Sequence, residues 1–105
     1  MIAKGNSGEI ELDGEIVIVR GKKGFLQPEN EKRFPVSRIA GINFKPAGMM
    51  KGYLHFETGS TPFGDPAYAA MSADGGVMFG KKDEPAFIQL RKEVERRLAT
   101  ASSDN

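Results

Sequence analysis

The chain has 105 residues, 39% hydrophobic and 28% charged, which confines it to one globular domain with a modest core. Fifteen basic residues against fourteen acidic leave a formal charge of +1, so no global field draws in nucleic acid or an anionic membrane, and such binding needs a local patch. The lack of cysteine removes disulfides and thiolate metal sites, and no stretch has the length and apolarity of a transmembrane helix or a signal peptide, so a cytoplasmic location is expected.

Residues 1–7 are mostly small or polar and read as a flexible arm, residues 8–99 as the folded domain, and residues 100–105 as a disordered tail. Glu9-Ile10-Glu11-Leu12 alternates with period two, Asp13-Gly14 is a turn dipeptide and Glu15 to Arg20 is a β-branched run, which together predict a hairpin. A two-residue loop would pair Leu12 with Glu15. A three-residue loop, Asp13-Gly14-Glu15, sets Leu12 opposite Ile16 and Ile10 opposite Ile18, and is the preferred register. It leaves Glu9, Glu11, Val17 and Val19 on the other face.

A second hairpin follows, with Phe25-Leu26, a turn at Gln27-Pro28-Glu29-Asn30 and a return arm from Glu31 to Val36. Ile39 to Lys45 predicts a strand stopped by Pro46, Ala47 to Lys51 a loop, and Gly52 to Glu57 a strand with Leu54 and Phe56 on one side. Thr58 to Pro66 is the longest linker, and Tyr68–Ser72 with Gly76–Phe79 reads as a third hairpin. A helix from Glu84 to about Leu98 has Asp83 as its cap, Pro85 in its first turn, and Phe87, Leu90, Val94 and Leu98 on one stripe facing the sheet.

Gly75 to Lys82 approaches a phosphate-loop pattern, but Lys82 stands where a hydroxyl is required and Val77-Met78-Phe79 has strand character, so the match is read as coincidence. His55 shares a strand face with Glu57; without an activated nucleophile or further ligands it reads as a surface histidine, not as a catalytic or metal residue. Glu9, Glu11, Asp13 and Glu15 form an acidic stripe. Lys22, Lys23, Lys32 and Arg33 form a basic one that can serve an anion such as a lipid headgroup, although such stripes are usually solvated faces. Met49 and Met50 are adjacent in a loop and cannot easily both point inward; with Lys51, Phe63 and Tyr68 they make a candidate protein-binding patch, weighed evenly against core filling. No cofactor is expected.

Gly8 to Gly14, Glu31 to Ile39, Lys45-Pro46-Ala47-Gly48, Gly52 to Phe56 and Val77-Met78-Phe79 before a helix resemble, over residues 8 to 98, the bacterial, mainly actinobacterial, pleckstrin-homology-like domains of unknown function. The resemblance implies a mainly β fold: a bent, seven-stranded antiparallel sheet or barrel with one end plugged by the C-terminal helix. Some eukaryotic relatives of this fold bind phosphoinositides through basic residues around the first strand pair, whereas here that turn is the acidic Asp13-Gly14, so the lipid motif is not carried over. The leading expectation is a non-enzymatic interaction module binding a protein partner or further copies of itself. A structural subunit of a larger assembly, such as a phage particle, comes next, and an anionic-lipid or small-ligand binder using the basic hairpin third.

Overall fold

A computed structural model describes residues 1–21, 31–58 and 75–103. Strands β1 (Ile2–Lys4), β2 (Gly8–Asp13), β3 (Ile16–Gly21) and β4 (Glu31–Pro35) form an antiparallel sheet in that order. A 3-10 turn, Val36–Arg38, leads into a second antiparallel sheet of β5 (Ile39–Lys45), β6 (Gly52–Thr58) and β7 (Gly76–Phe79). A further 3-10 turn at Lys81–Asp83 runs straight into helix α1 (Glu84–Ser103). The fold is therefore mainly β with one C-terminal helix. Among the described residues the two sheets do not close into a barrel.

Part of the expected arm is a strand. β1 pairs with β2 through Ile2 and Glu11, Ala3 and Ile10, and Lys4 and Glu9, and Ala3 is buried because its methyl is small enough to sit against Ile10 at the edge of the core. The hairpin register also differs from expectation. Asp13 pairs with Ile16, Leu12 with Val17, Glu11 with Ile18 and Ile10 with Val19, so the loop is the two-residue Gly14-Glu15. Gly14 has φ +59°, a conformation that suits glycine at the first position of a two-residue hairpin loop. That register puts Val17 and Val19 in the core with Ile10 and Leu12, and sends Ile16 and Ile18 to the opposite face with Glu9 and Glu11.

In the second sheet a bulge between Ile39 and Gly41 shifts the register by one residue. Ile39 and the even-numbered Ile42 and Phe44 can then all pack on the core, which strict alternation forbids. β6 and β7 occupy their expected places, while Phe25-Leu26, the 27–30 turn, the 59–66 part of the linker and the 68–72 strand lie outside the described residues.

The helix stripe is as the spacing predicts: Phe87, Leu90 and Val94 are fully buried and Leu98 packs partly against them. The helix continues beyond Leu98 to Ser103, into the segment read as tail, because Ala99-Thr100-Ala101-Ser102 contains neither glycine nor proline to stop it. The Thr100 hydroxyl donates to the Arg96 carbonyl at 3.0 Å. Asp83 ends the preceding turn, its amide donating to the Gly80 carbonyl at 3.1 Å.

Rings from both halves of the chain meet over α1. Phe87 stacks on Phe79 at 4.5 Å between centroids, Phe79 on Phe44 at 5.9 Å, and the Arg91 guanidinium lies 4.3 Å from the centre of the Phe44 ring. The sheets are also joined where the Asn6 amide donates to the Met78 carbonyl at 2.7 Å and the Met78 amide to the Ser7 hydroxyl at 2.9 Å. Replacing Phe87 by Ala removes the ring at the centre of this packing and should cost about 3–5 kcal/mol, read as a fall in the midpoint of thermal or urea unfolding. A loss below about 1 kcal/mol would show that the stack contributes little.

Candidate functional site

The most distinctive surface is the loop between β5 and β6. Pro46 ends β5, and the amide of Ala47 donates to Glu84 Oε1 at 2.6 Å, tying the loop to the start of α1. The Gly48 amide donates to the Met50 carbonyl at 2.9 Å. At the far end Gly52 is buried so closely that an added Cβ would fall 2.3 Å from the Lys45 carbonyl oxygen, so only glycine lets the chain turn back into β6 there. The loop is therefore held at both ends. Its tip nevertheless leaves the core: Met49 is 107% exposed and Met50 74%, both far above an ordinary surface hydrophobe. Core filling by either methionine is thereby excluded.

Four lysines lie on the segments beside this tip. Lys45 and Lys51 flank the loop; Gly52 pairs with Phe79, which brings the turn carrying Lys81 and Lys82 alongside. All four are exposed, and none makes an ion pair among the described residues. The Glu84 carboxylate beside them is engaged with the Ala47 amide. Methionine next to unpaired lysine gives an apolar point in a basic collar.

On the β2–β4 face and along the helix several charges are paired. Arg20 reaches Glu11 at 2.9 Å, Glu31 at 3.0 Å and Glu9 at 3.1 Å, and Arg33 reaches Glu31 at 2.9 Å. Two members of the acidic stripe, Glu9 and Glu11, thus share Arg20 on their own sheet face. On the helix Glu93 binds Arg96 and Arg97, and Arg97 also donates to the Gly14 carbonyl and lies 3.3 Å from Glu15, tying the end of α1 to the first hairpin.

Two members of the basic stripe are described: Lys32, in register with Val19, and Arg33, in register with Ile18, are neighbours on β4. Lys32, Arg33, Arg38 and Thr58 surround a cleft of about 100 Å³ over Phe34 and Phe56. Arg38, on the 3-10 turn, escaped the sequence reading because it belongs to no basic run. Lys22, Lys23, Phe63 and Tyr68 lie outside the described residues.

His55 is buried, at 2% exposure, and not the surface residue expected from its strand parity. It faces Asn43 across the β5–β6 ladder, with Asn43 Nδ2 3.3 Å from its Nδ1 and donating to Glu57 Oε1 at 3.0 Å. The Glu57 carboxylate requires the amide NH2 on its side, so Asn43 donates to both neighbours and His55 Nδ1 accepts. Gly75 closes against the same imidazole and Gly76 against the His55 Cα and Cβ, approaches that alternation alone could not reveal. Val77–Phe79 is strand, as the phosphate-loop reading required for its dismissal.

Taken together, these elements define a mainly β domain with a terminal helix and a projecting apolar and basic corner. The chain belongs to the family described as Domain of unknown function (DUF4429), whose model matches residues 10–95. No curated protein and no solved structure matches it.

The Arg33 guanidinium, and after it that of Arg20, holds the Glu31 carboxyl below its ordinary value of 4.5. A lowered carboxyl contributes stability above pH 4.5 that disappears as pH falls through the folded value. The stability gap between the protein and its Glu31→Gln variant should therefore be present at pH 7, narrow below about pH 4.5 and shrink with salt, because the pair is exposed. A gap that is constant from pH 7 to 3 in urea titrations would show that the network does not contribute to folding.

Proposed function

We propose that this chain is a non-enzymatic interaction module of pleckstrin-homology-like architecture, docking on a protein partner or on another copy of itself through the loop at Met49 and Met50. The observation that carries the reading is the exposure of both methionines on a loop whose backbone is fixed by Glu84 and Gly52. Two unbranched apolar side chains held in water contribute nothing to the fold, and they suit an adaptable contact surface. Two antiparallel sheets followed by a helix whose apolar stripe packs on the core support the architecture, and membership of a family without assigned function is compatible with it. The burial of His55 supports a role other than catalysis, since the lone imidazole is not placed to meet a substrate.

A second reading rests on the cleft between β4 and β6, where Arg38 and Thr58 join Lys32 and Arg33 over an aromatic floor. An anion with a small apolar part would suit it, in line with the basic-hairpin expectation.

Light scattering over a concentration series tests the main reading, with Met49→Ser/Met50→Ser alongside. The protein's mass should rise above 11.4 kDa with concentration and the variant's should not, while the two melt within about 1 °C of each other. Flat, identical masses would remove association between copies. A marked fall in the variant's melting temperature would instead give the loop a structural task and remove its docking role.

A further inference from the structure

The chemistry of the β5–β6 corner also fits a second kind of surface beside the protein contact proposed above, an inference that rests on the docking role of this loop. We infer that this corner docks on an anionic lipid bilayer, with Met49 and Met50 entering the headgroup region and Lys45, Lys51, Lys81 and Lys82 lying against the lipid charges.

Three observations support that occupant. First, the apolar element is a projecting point: Met49 and Met50 form the exposed tip of a pinned loop, and the basic cleft of the molecule lies elsewhere, beside β4. A projecting tip needs a receiving surface that yields, and the interface of a bilayer does so without a preformed socket. Second, the charge is unbalanced here: four lysines stand against the two carboxylates of Asp83 and Glu84, an excess of two. Arg20, Arg33, Arg96 and Arg97 are held by carboxylates, whereas the four lysines at this corner are exposed and unpaired among the described residues. Among the described residues they have no internal partner to lose on meeting an anionic surface, and the N-terminal, positive end of α1 is tied to the loop through Glu84 and Ala47. Third, the residue types fit the depth gradient of an interface. Methionine is flexible and apolar, and lysine can lay its four-carbon stem along the apolar boundary while its ammonium stays at the phosphates. Neither signal is sufficient alone: stable attachment to a membrane takes an apolar insertion together with a polybasic patch. This corner has both.

Cosedimentation with vesicles tests the inference. The probes are phosphatidylcholine vesicles and the same vesicles with about one third phosphatidylserine. The whole chain should be retained by the anionic vesicles and not by the neutral ones. Each lysine replaced by glutamine in the series Lys45→Gln, Lys51→Gln, Lys81→Gln, Lys82→Gln should lower the partition coefficient by about fivefold. Raising the salt from about 0.1 M toward 1 M should release the protein as the screening length falls. Met49→Ser/Met50→Ser should lower retention while leaving its dependence on salt. All six positions are exposed, so the variants should keep the parent's melting temperature, which is measured alongside.

Failure to bind anionic vesicles, or binding that the lysine and methionine variants leave unchanged, would overturn the inference. The outcomes distinguish the lipid assignment from the docking role itself. A chain that ignores both vesicles while its self-association still depends on Met49 and Met50 docks on protein and not on lipid. A chain whose loop variants change neither vesicle retention nor solution mass loses the docking reading as well. Lipid retention that instead depends on Lys32 and Arg38, tested as Lys32→Gln/Arg38→Gln, would place the contact at the β4 cleft and overturn the assignment to this corner.

Discussion

The stacking of Phe87 on Phe79 is the contact on which the rest of the arrangement depends. The two sheets share no backbone ladder among the described residues, so their union rests on side chains and on a few loop hydrogen bonds. Phe79 belongs to the last strand of the second sheet and Phe87 to the first turns of the helix, yet the rings lie nearly parallel, with an interplanar angle of 17°. Phe44 extends the stack into β5 and Arg91 continues it from the next turn of the helix, with a cation over the aromatic face. From that anchor Leu90 and Val94 join the same buried core as Ile10, Leu12, Val17 and Val19.

The same stack builds the corner that carries the functional reading. Lys45 is the residue after Phe44, and Lys81 follows Phe79 by two positions. Fixing the two rings beside one another therefore brings the chain on either side of them to one end of the molecule. Glu84 then binds the Ala47 amide, closing the gap between the loop and the helix start. With Gly52 packed against the Lys45 carbonyl, the intervening residues have little room except outward. The exposure of Met49 and Met50 is in this sense a consequence of how tightly the loop's ends are held, and a looser loop could have folded one of them back onto the core.

Much of this fold was legible in the sequence because periodicity reports burial directly. The stripe of Phe87, Leu90, Val94 and Leu98 gave the helix, and the alternation of Leu54 and Phe56 gave β6. Parity was less reliable wherever backbone geometry intervened. One residue of difference in loop length moved Val17 and Val19 to the core face and Ile16 and Ile18 away from it, although all four are β-branched and equally suited to either side. The bulge near Gly41 and the buried His55 escaped for the same kind of reason: the first is a backbone irregularity, and the second depends on two glycines that approach from a distant strand. The methionine loop was recognisable from its composition. Its lysine collar was not, since Lys45 and Lys51 are separated from Lys81 and Lys82 by some thirty residues.

That separation also explains why net charge is a poor guide to this surface. A total of +1 suggests a molecule with no preference for anions, but the sum conceals an uneven distribution. Arginine is concentrated in pairs where its planar fork can hold carboxylates, on the β2–β4 face and along α1. These contacts consume acidic residues and leave little field beyond a Debye length. Among the described residues lysine at the β5–β6 corner has no such partners, so its charge is available to whatever approaches. A chain can thus be nearly neutral overall and still present one charged end, provided its acids are committed elsewhere by the fold. Arg20, which holds Glu9, Glu11 and Glu31 at once, is the clearest case of such a commitment.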